Sequence, residues 1–300
     1  MRVIFNTMIK YFLILTLIAL NSFAFDAFIK PSELKDALDD KNIIILDVSD
    51  HATYRVSHIN HAINFDISTL IPKEENPYML MDKAQNVQAK LKDLGINTNS
   101  NVIIYSHNRE KGILDSSYLA FILIYNGFEN VSILDGGYMA WIFQNELLIS
   151  TQKFTPEDDG NFEFHQNKNL LVDMNYVEQN PANALIFDAR TTAEYYGVSK
   201  SKKIIGIGHI PHAKSNFYKY NFLADGSIRD DEELSEIYLD GYDISKANEM
   251  IVYGNNIYDA SMLWYIIYQK MGFKNTKLYG ASLLEWGNNT KLPMKRFKWE

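Results

Sequence analysis

The sequence predicts an α/β protein built from two tandem copies of one domain, each a central parallel β-sheet flanked by helices. Three observations carry this. Two distant stretches share one plan: NVIIYSHNREKGILDSSYLAFILIYNGFENVSILDGGYMAW, Asn101 to Trp141, and EMIVYGNNIYDASMLWYIIYQKMGFKNTKLYGASLLEW, Glu249 to Trp286. Pieces further upstream repeat as well. IIILDV, Ile43 to Val48, matches ALIFDAR, Ala184 to Arg190, each an apolar strand ending in an aspartate, Asp47 or Asp188. SHINHAINF, Ser57 to Phe65, matches GHIPHAKSNF, Gly208 to Phe217. Finally, short apolar runs alternate with helical patterns, the arrangement of a parallel sheet covered on both faces.

Taken in order, residues 1–24 stand apart. Arg2 and Lys10 are their only charges, Tyr11 to Leu20 is an apolar-rich run, and Ser22-Phe23-Ala24 supplies small residues before a cut. This predicts a secretory signal peptide cleaved after Ala24, which directs the chain out of the cytoplasm, to the periplasm. Met8 is an alternative start, because MIKYFLILTLIAL is a compact signal by itself. The run is short for a membrane span, so no stable span is expected after cleavage. Residues 25–149 form the first domain. Residues 150–168 are polar, lack a steady period and read as a linker. Residues 169–300 form the second domain. The repeat is domain-sized, so the architecture is a duplication and not a solenoid.

Composition narrows the function. With 300 residues, 47% of them apolar, each half can build its own core. The net charge of −8 argues against nucleic acid or an anionic membrane surface as the main partner, and loss of the two leader cations takes it to −10. The chain has no cysteine. That excludes thiolate catalysis, thiolate metal sites and a lipid-modified N-terminal Cys. No metal site is expected, because no two histidines have helical ligand spacing with a carboxylate nearby. No cofactor is implied.

The chemistry-bearing positions are the two strand-to-helix loops. In the second half, Met250 to Tyr253 read as a buried strand, Gly254-Asn255-Asn256 break it, and a helix is expected from about Asp259 to Met271, closed by Gly272. Such a loop at a helix N-terminus is a common seat for a nucleophile or an anion. In the first half the loop is SHNREKG, Ser106 to Gly112, three residues longer. Ser106 beside His107 has the look of a nucleophile and base. Adjacent strand-end residues point apart, however, and a solvated loop is the better reading. Arg109 and Lys111 can attract an anion there, diluted by Glu110.

Together these motifs resemble the tandem rhodanese family, the thiosulfate and 3-mercaptopyruvate sulfurtransferases. The resemblance covers nearly all of Phe25 to Glu300. It rests on Asp188-Ala189-Arg190 with Glu194-Tyr195, on GHIPHA at Gly208 to Ala213 with His212 in place of the family's second Gly, and on Asp225-Gly226, Gly272-Phe273 and LYGASLLEW at Leu278 to Trp286. In the first half HINHA and LDGGYMAW, Leu134 to Trp141, follow the same order. The resemblance implies two rhodanese domains. It also implies an active-site Cys directly after Tyr253, where this chain has Gly254; Ala260-Ser261 fix the alignment, and Ser106 holds the corresponding first-domain position. The family's Asp, Arg and Glu counterparts imply structural roles for Asp188, Arg190 and Glu194. His58 and His209 occupy equivalent places in both copies and are expected to hold hydrogen bonds.

Sulfur transfer of this type needs a thiolate that takes up a sulfane sulfur as a persulfide, and glycine has no side chain to do so. The degenerate loop Gly254, Asn255, Asn256, Ile257, Tyr258 and Asp259 is therefore expected to carry no catalytic residue. Asp259 is expected to act as an N-cap, satisfying amides itself and repelling an incoming anion. Ile257 and Tyr258 are expected to crowd the pocket. Trp264, Tyr265 and Tyr268 are expected in the core. Three functions remain open: an exported rhodanese-homology protein binding a small sulfur anion or an exported partner, a sulfurtransferase-class enzyme using a partner's Cys or altered chemistry, and a scaffold.

Overall fold

The computed structural model describes residues 25–71, 78, 80–81, 83–145, 148–179 and 181–300. The leader expected at 1–24 lies outside them. The first sheet takes β1 (Phe28–Ile29), β2 (Ile43–Asp47), β4 (Ile63–Asn64), β5 (Asn101–Tyr105) and β6 (Val131–Leu134), in the order β1-β6-β5-β2-β4. The second takes β8 (Leu171–Val172), β9 (Ala184–Asp188), β10 (Ala213–Ser215), β11 (Glu249–Tyr253) and β12 (Thr276–Tyr279), in the order β10-β9-β11-β12-β8. Read from the other edge, the second order is the first. All pairings in both sheets are parallel, with Asp47 opposite Tyr105 and Asp188 opposite Tyr253. A small antiparallel pair, β3 (His58–Ile59) with β7 (Ile149–Ser150), closes one end of the first domain.

Each sheet is flanked by helices. Those of the first domain are α1 (Pro31–Asp36), α2 (His51–Val56), α3 (Ala84–Lys92), α4 (Lys111–Tyr125) and α5 (Gly137–Asn145). Those of the second are α6 (Met174–Glu178), α7 (Thr192–Tyr196), α8 (Asp231–Ser235), α9 (Ile257–Tyr265) and α10 (Ser282–Glu285). A π-helical turn, Ile266–Lys270, extends α9, and Gly272 at φ +75° ends it in the left-handed conformation that glycine adopts without steric cost. The segment expected as a linker runs over the first domain as a strap. Its backbone bonds to Lys92, Ile96, Asn126 and Tyr125.

The two domains meet through α4 and α9, the helices that follow the two chemistry-bearing loops. Phe121 meets Trp264 edge-on with ring centres 4.9 Å apart, and Tyr118 packs on Tyr258 at 4.7 Å. The Tyr265 hydroxyl donates to the Ala27 carbonyl at 2.7 Å and lies 3.0 Å from that of Val131, both in the other domain. Trp264, Tyr265 and Tyr268 are buried. Apolar burial is therefore continuous from one sheet to the other.

Two histidines explain a departure noted in the sequence. His61 and His212 take φ +65° and +68°, the conformation that favours glycine. Each is the fourth residue of its His-Ile-x-His-Ala turn. A left-handed residue other than glycine costs about 1 kcal/mol, which the buried strands on either side evidently tolerate.

Candidate functional site

In the second domain, β11 delivers Tyr253 and then Gly254 to the start of α9. The helix begins two residues earlier than the sequence suggests. Its N-cap is Asn256, whose side chain accepts the Tyr258 N–H at 2.9 Å. This corrects the assignment of Asp259 as the cap. Asp259 lies one turn in, and its carboxylate accepts the Asn255 N–H at 3.3 Å. It still satisfies a loop amide, and burial pushes its carboxyl above the usual range.

The crowding expected of Ile257 and Tyr258 also needs correction. Ile257 joins the apolar core and Tyr258 packs on Tyr118 across the domain boundary. What fills the space beside Gly254 is Asp259 itself. A Cβ added at Gly254 meets Asp259 Cβ at 2.7 Å, Ala260 N at 3.0 Å and Asn256 O at 3.2 Å. The Gly254 N–H is already given to Ser282 Oγ at 3.1 Å, and the carbonyls of Gly254 and Asn255 accept the N–H groups of Leu283 and Leu284. The loop is thus bonded down onto α10.

Around it stands an intact framework. Arg190 Nε and Nη2 donate to the two oxygens of Asp188 at 2.9 and 2.6 Å, and Nη2 also reaches Gly208 O at 2.6 Å. Tyr253 donates its hydroxyl to Asp188 at 2.7 Å. Glu194 caps α7 through Thr191 and accepts Asn255 Nδ2 at 3.0 Å. His209 stacks on Tyr195 at 3.9 Å and donates Nδ1–H to the Tyr195 carbonyl at 2.9 Å. Burial pushes its imidazole pKa down. His58 repeats this on Tyr54 at 3.8 Å.

The first-domain loop is exposed from Asn108 to Lys111, as a solvated loop would be, but its first two residues depart from that expectation: Ser106 is 8% exposed and the His107 side chain 16%. Ser106 Oγ lies 3.3 Å from Ser49 Oγ and accepts the Asn108 N–H at 3.3 Å. It fits because Gly112 has no side chain; a Cβ there comes within 2.0 Å of that oxygen. His107 turns away from Ser106, stacks on Tyr138 at 3.6 Å and brings Nε2 to 3.3 Å from Asp47. It stands where the second copy uses Arg190, because the residue two after Asp47 is Ser49. No Ser–His hydrogen bond forms. Arg109 is exposed, on the rim of a cleft of about 210 Å³ between the domains. That cleft reaches Ser106 on one side and Tyr218 to Gly226 on the other. The sequence reading missed the Tyr218–Gly226 wall. Asp225-Gly226 stood out as a motif, but nothing local links it to a loop more than a hundred residues away.

Asp135 sits at the same boundary, where its carboxylate accepts the Ile228 N–H at 2.7 Å. Burial raises its pKa to about 6. The folded chain therefore holds this proton more tightly than the unfolded chain. Its contribution is lost as pH rises from about 4 through about 6. Asp135→Asn keeps the acceptor and removes the buried charge. It should raise stability by about 1 kcal/mol at pH 8 and change little at pH 4, read from urea unfolding at the two pH values.

Among the described residues, no cluster of three or more His, Asp or Glu could hold a metal ion, and no helix is long and apolar enough to cross a membrane. Comparison with known proteins agrees with the architecture. The rhodanese-like domain model matches twice, over residues 30–144 and 173–289. The chain is 23% identical over 277 residues to the sulfur carrier protein TtuD of Thermus thermophilus, covering 88% of this chain and 94% of that one. It is 26% identical over 248 residues to the 3-mercaptopyruvate sulfurtransferase of Escherichia coli K12, covering 82% and 85%. Among solved structures, YnjE superposes with a TM-score of 0.78 at 19% identity over 91% of this chain and 68% of that one. An anaerobic ergothioneine biosynthesis enzyme from Chlorobium limicola gives 0.76 at 19%, over 92% and 71%. Two matches to one domain model, falling on two sheets of one strand order, make this chain a member of the rhodanese-like domain family.

Proposed function

We propose that the protein is an exported, sulfurtransferase-like binding protein that does not carry sulfur as a cysteine persulfide. The observation that carries this is the second-domain loop. Its cysteine position is Gly254, the chain has no other cysteine, and the side-chain space there is taken by Asp259. A thioether cannot ionise to replace the thiolate, so methionine does not substitute. The purified chain should therefore show no thiosulfate-to-cyanide sulfur transfer above background, against a cysteine-bearing relative assayed alongside. Transfer at comparable rates would overturn the reading. A persulfide found by mass spectrometry on a co-purifying protein would favour the alternative, in which a partner supplies the Cys.

Export rests on the leader pattern at residues 1–24 and places the mature chain in the periplasm. The test is N-terminal sequencing of secreted material. A chain beginning at Phe25 supports export, and one beginning at Met1 or Met8 does not.

A further inference from the structure

With the second-domain loop closed, the cleft between the domains at the first-domain loop is a place where a ligand can still enter. We propose that it binds a small monoanionic organic acid with an apolar body about the size of one ring, and not a bare inorganic sulfur anion. This rests on the binding role proposed above and adds the site and the ligand class.

The size comes first. The cleft holds about 210 Å³, while a 150 Å³ apolar cavity takes benzene. Its walls are mostly apolar, with Ile113, Ile133 and Leu134 from the first domain facing Phe222 and Leu223 from the second. A small, strongly hydrated dianion loses water there without gaining contacts, whereas a hydrocarbon body gains about 25 cal/mol per Å² buried.

The head group follows from which donors remain unspent. Arg109 and Lys219 both line the cleft. Lys219 is held by Glu110 at 3.1 Å. Arg109 makes no hydrogen bond or ion pair among the described residues. It lies close enough to lower the pKa of exposed Asp225, whose carboxylate already accepts the Ser227 N–H and hydroxyl at 3.0 and 2.6 Å. The second donor is Tyr218. Its side chain is buried and lines the cleft, its hydroxyl has no partner among the described residues, and burial raises its pKa, so it stays a neutral O–H donor. Asn108 uses Oδ1 on the N–H groups of Glu110 and Lys111, leaving its amide N–H to donate. Glu110 also lines the cleft but is paired with Lys219 through Oε1. The unpaired guanidinium, phenol and amide N–H groups are donors, and the planar fork of the guanidinium suits a carboxylate.

Calorimetric titration of the purified chain with phenylacetate, phenylacetamide and inorganic thiosulfate tests this. Phenylacetate should bind saturably, with the neutral amide and thiosulfate each at least about tenfold weaker. Arg109→Gln should weaken phenylacetate about tenfold and leave the amide unchanged. Leu223→Glu, which puts a like charge on an exposed wall position, should also weaken it without lowering the melting temperature. The inference is overturned if phenylacetate does not bind at millimolar concentration, if thiosulfate binds more tightly, or if both variants bind like the parent. None of those outcomes restores sulfur transfer, so the reading of the second-domain loop stands or falls separately.

Discussion

Arg190→Ala should lower the stability of the chain by about 3–5 kcal/mol, measured as the shift in the urea midpoint. Arg190 is 3% exposed and Asp188 fully buried. The guanidinium satisfies both carboxylate oxygens and the Gly208 carbonyl. Its removal leaves an ionised carboxylate in the interior with only the Tyr253 hydroxyl and the residue-190 amide as donors. Desolvation of an unpaired charge dominates such a cost, not the net worth of the pair. The double variant Asp188→Asn with Arg190→Met separates the two. It removes both charges at similar volume and should fall well short of the single change. A single variant within about 1 kcal/mol of the parent would show that the pair carries no structural role.

Gly254→Cys should fail to give an active sulfurtransferase. Gly254 does not take a left-handed φ, so the backbone accepts a side chain, and the obstacle is space. The new Cβ meets Asp259 Cβ at 2.7 Å. That atom belongs to a first-turn helix residue whose carboxylate holds Asn255, so it cannot swing aside freely. Overpacking of this kind costs about 1–3 kcal/mol, and the thiol would form beside a carboxylate that opposes its ionisation. Gly254→Cys with Asp259→Gly removes the closest contact and the charge, leaving the tighter-than-usual approaches to Ala260 N and Asn256 O, at about 1 kcal/mol for glycine in a helix. Thiol alkylation rate and thiosulfate-to-cyanide transfer should rise in the double variant and not in the single one. Transfer by the single variant would show that the loop opens readily.

Much of this architecture was legible in the chain. The two parallel sheets followed from the duplicated apolar runs, since parallel strands need crossovers and the crossovers were visible as helical patterns; the order of the strands did not. Gly254 was legible because Tyr253 before it and Ala260-Ser261 after it anchor the comparison. The true cap was not. Asn256 and Asp259 are both good capping residues, and the choice between them depends on how the loop packs on α10. Nor was the exchange of Arg190 for His107 as the partner of the strand-end aspartate. Residues 47 and 107 meet only when β2 pairs with β5, and a histidine in a polar loop gives no local sign of it. The facing direction of Tyr258, which packs on Tyr118, was likewise decided by the other domain.

The apolar seam between α4 and α9 has a consequence for how the chain behaves as a thermodynamic object. Phe121, Trp264 and Tyr265 belong to two sequence repeats but one core. Opening either half exposes the shared face of the other, so neither has a separate stability to lose. The duplication visible in the sequence should thus disappear in the heat capacity, with a single absorption peak whose calorimetric and van't Hoff enthalpies coincide.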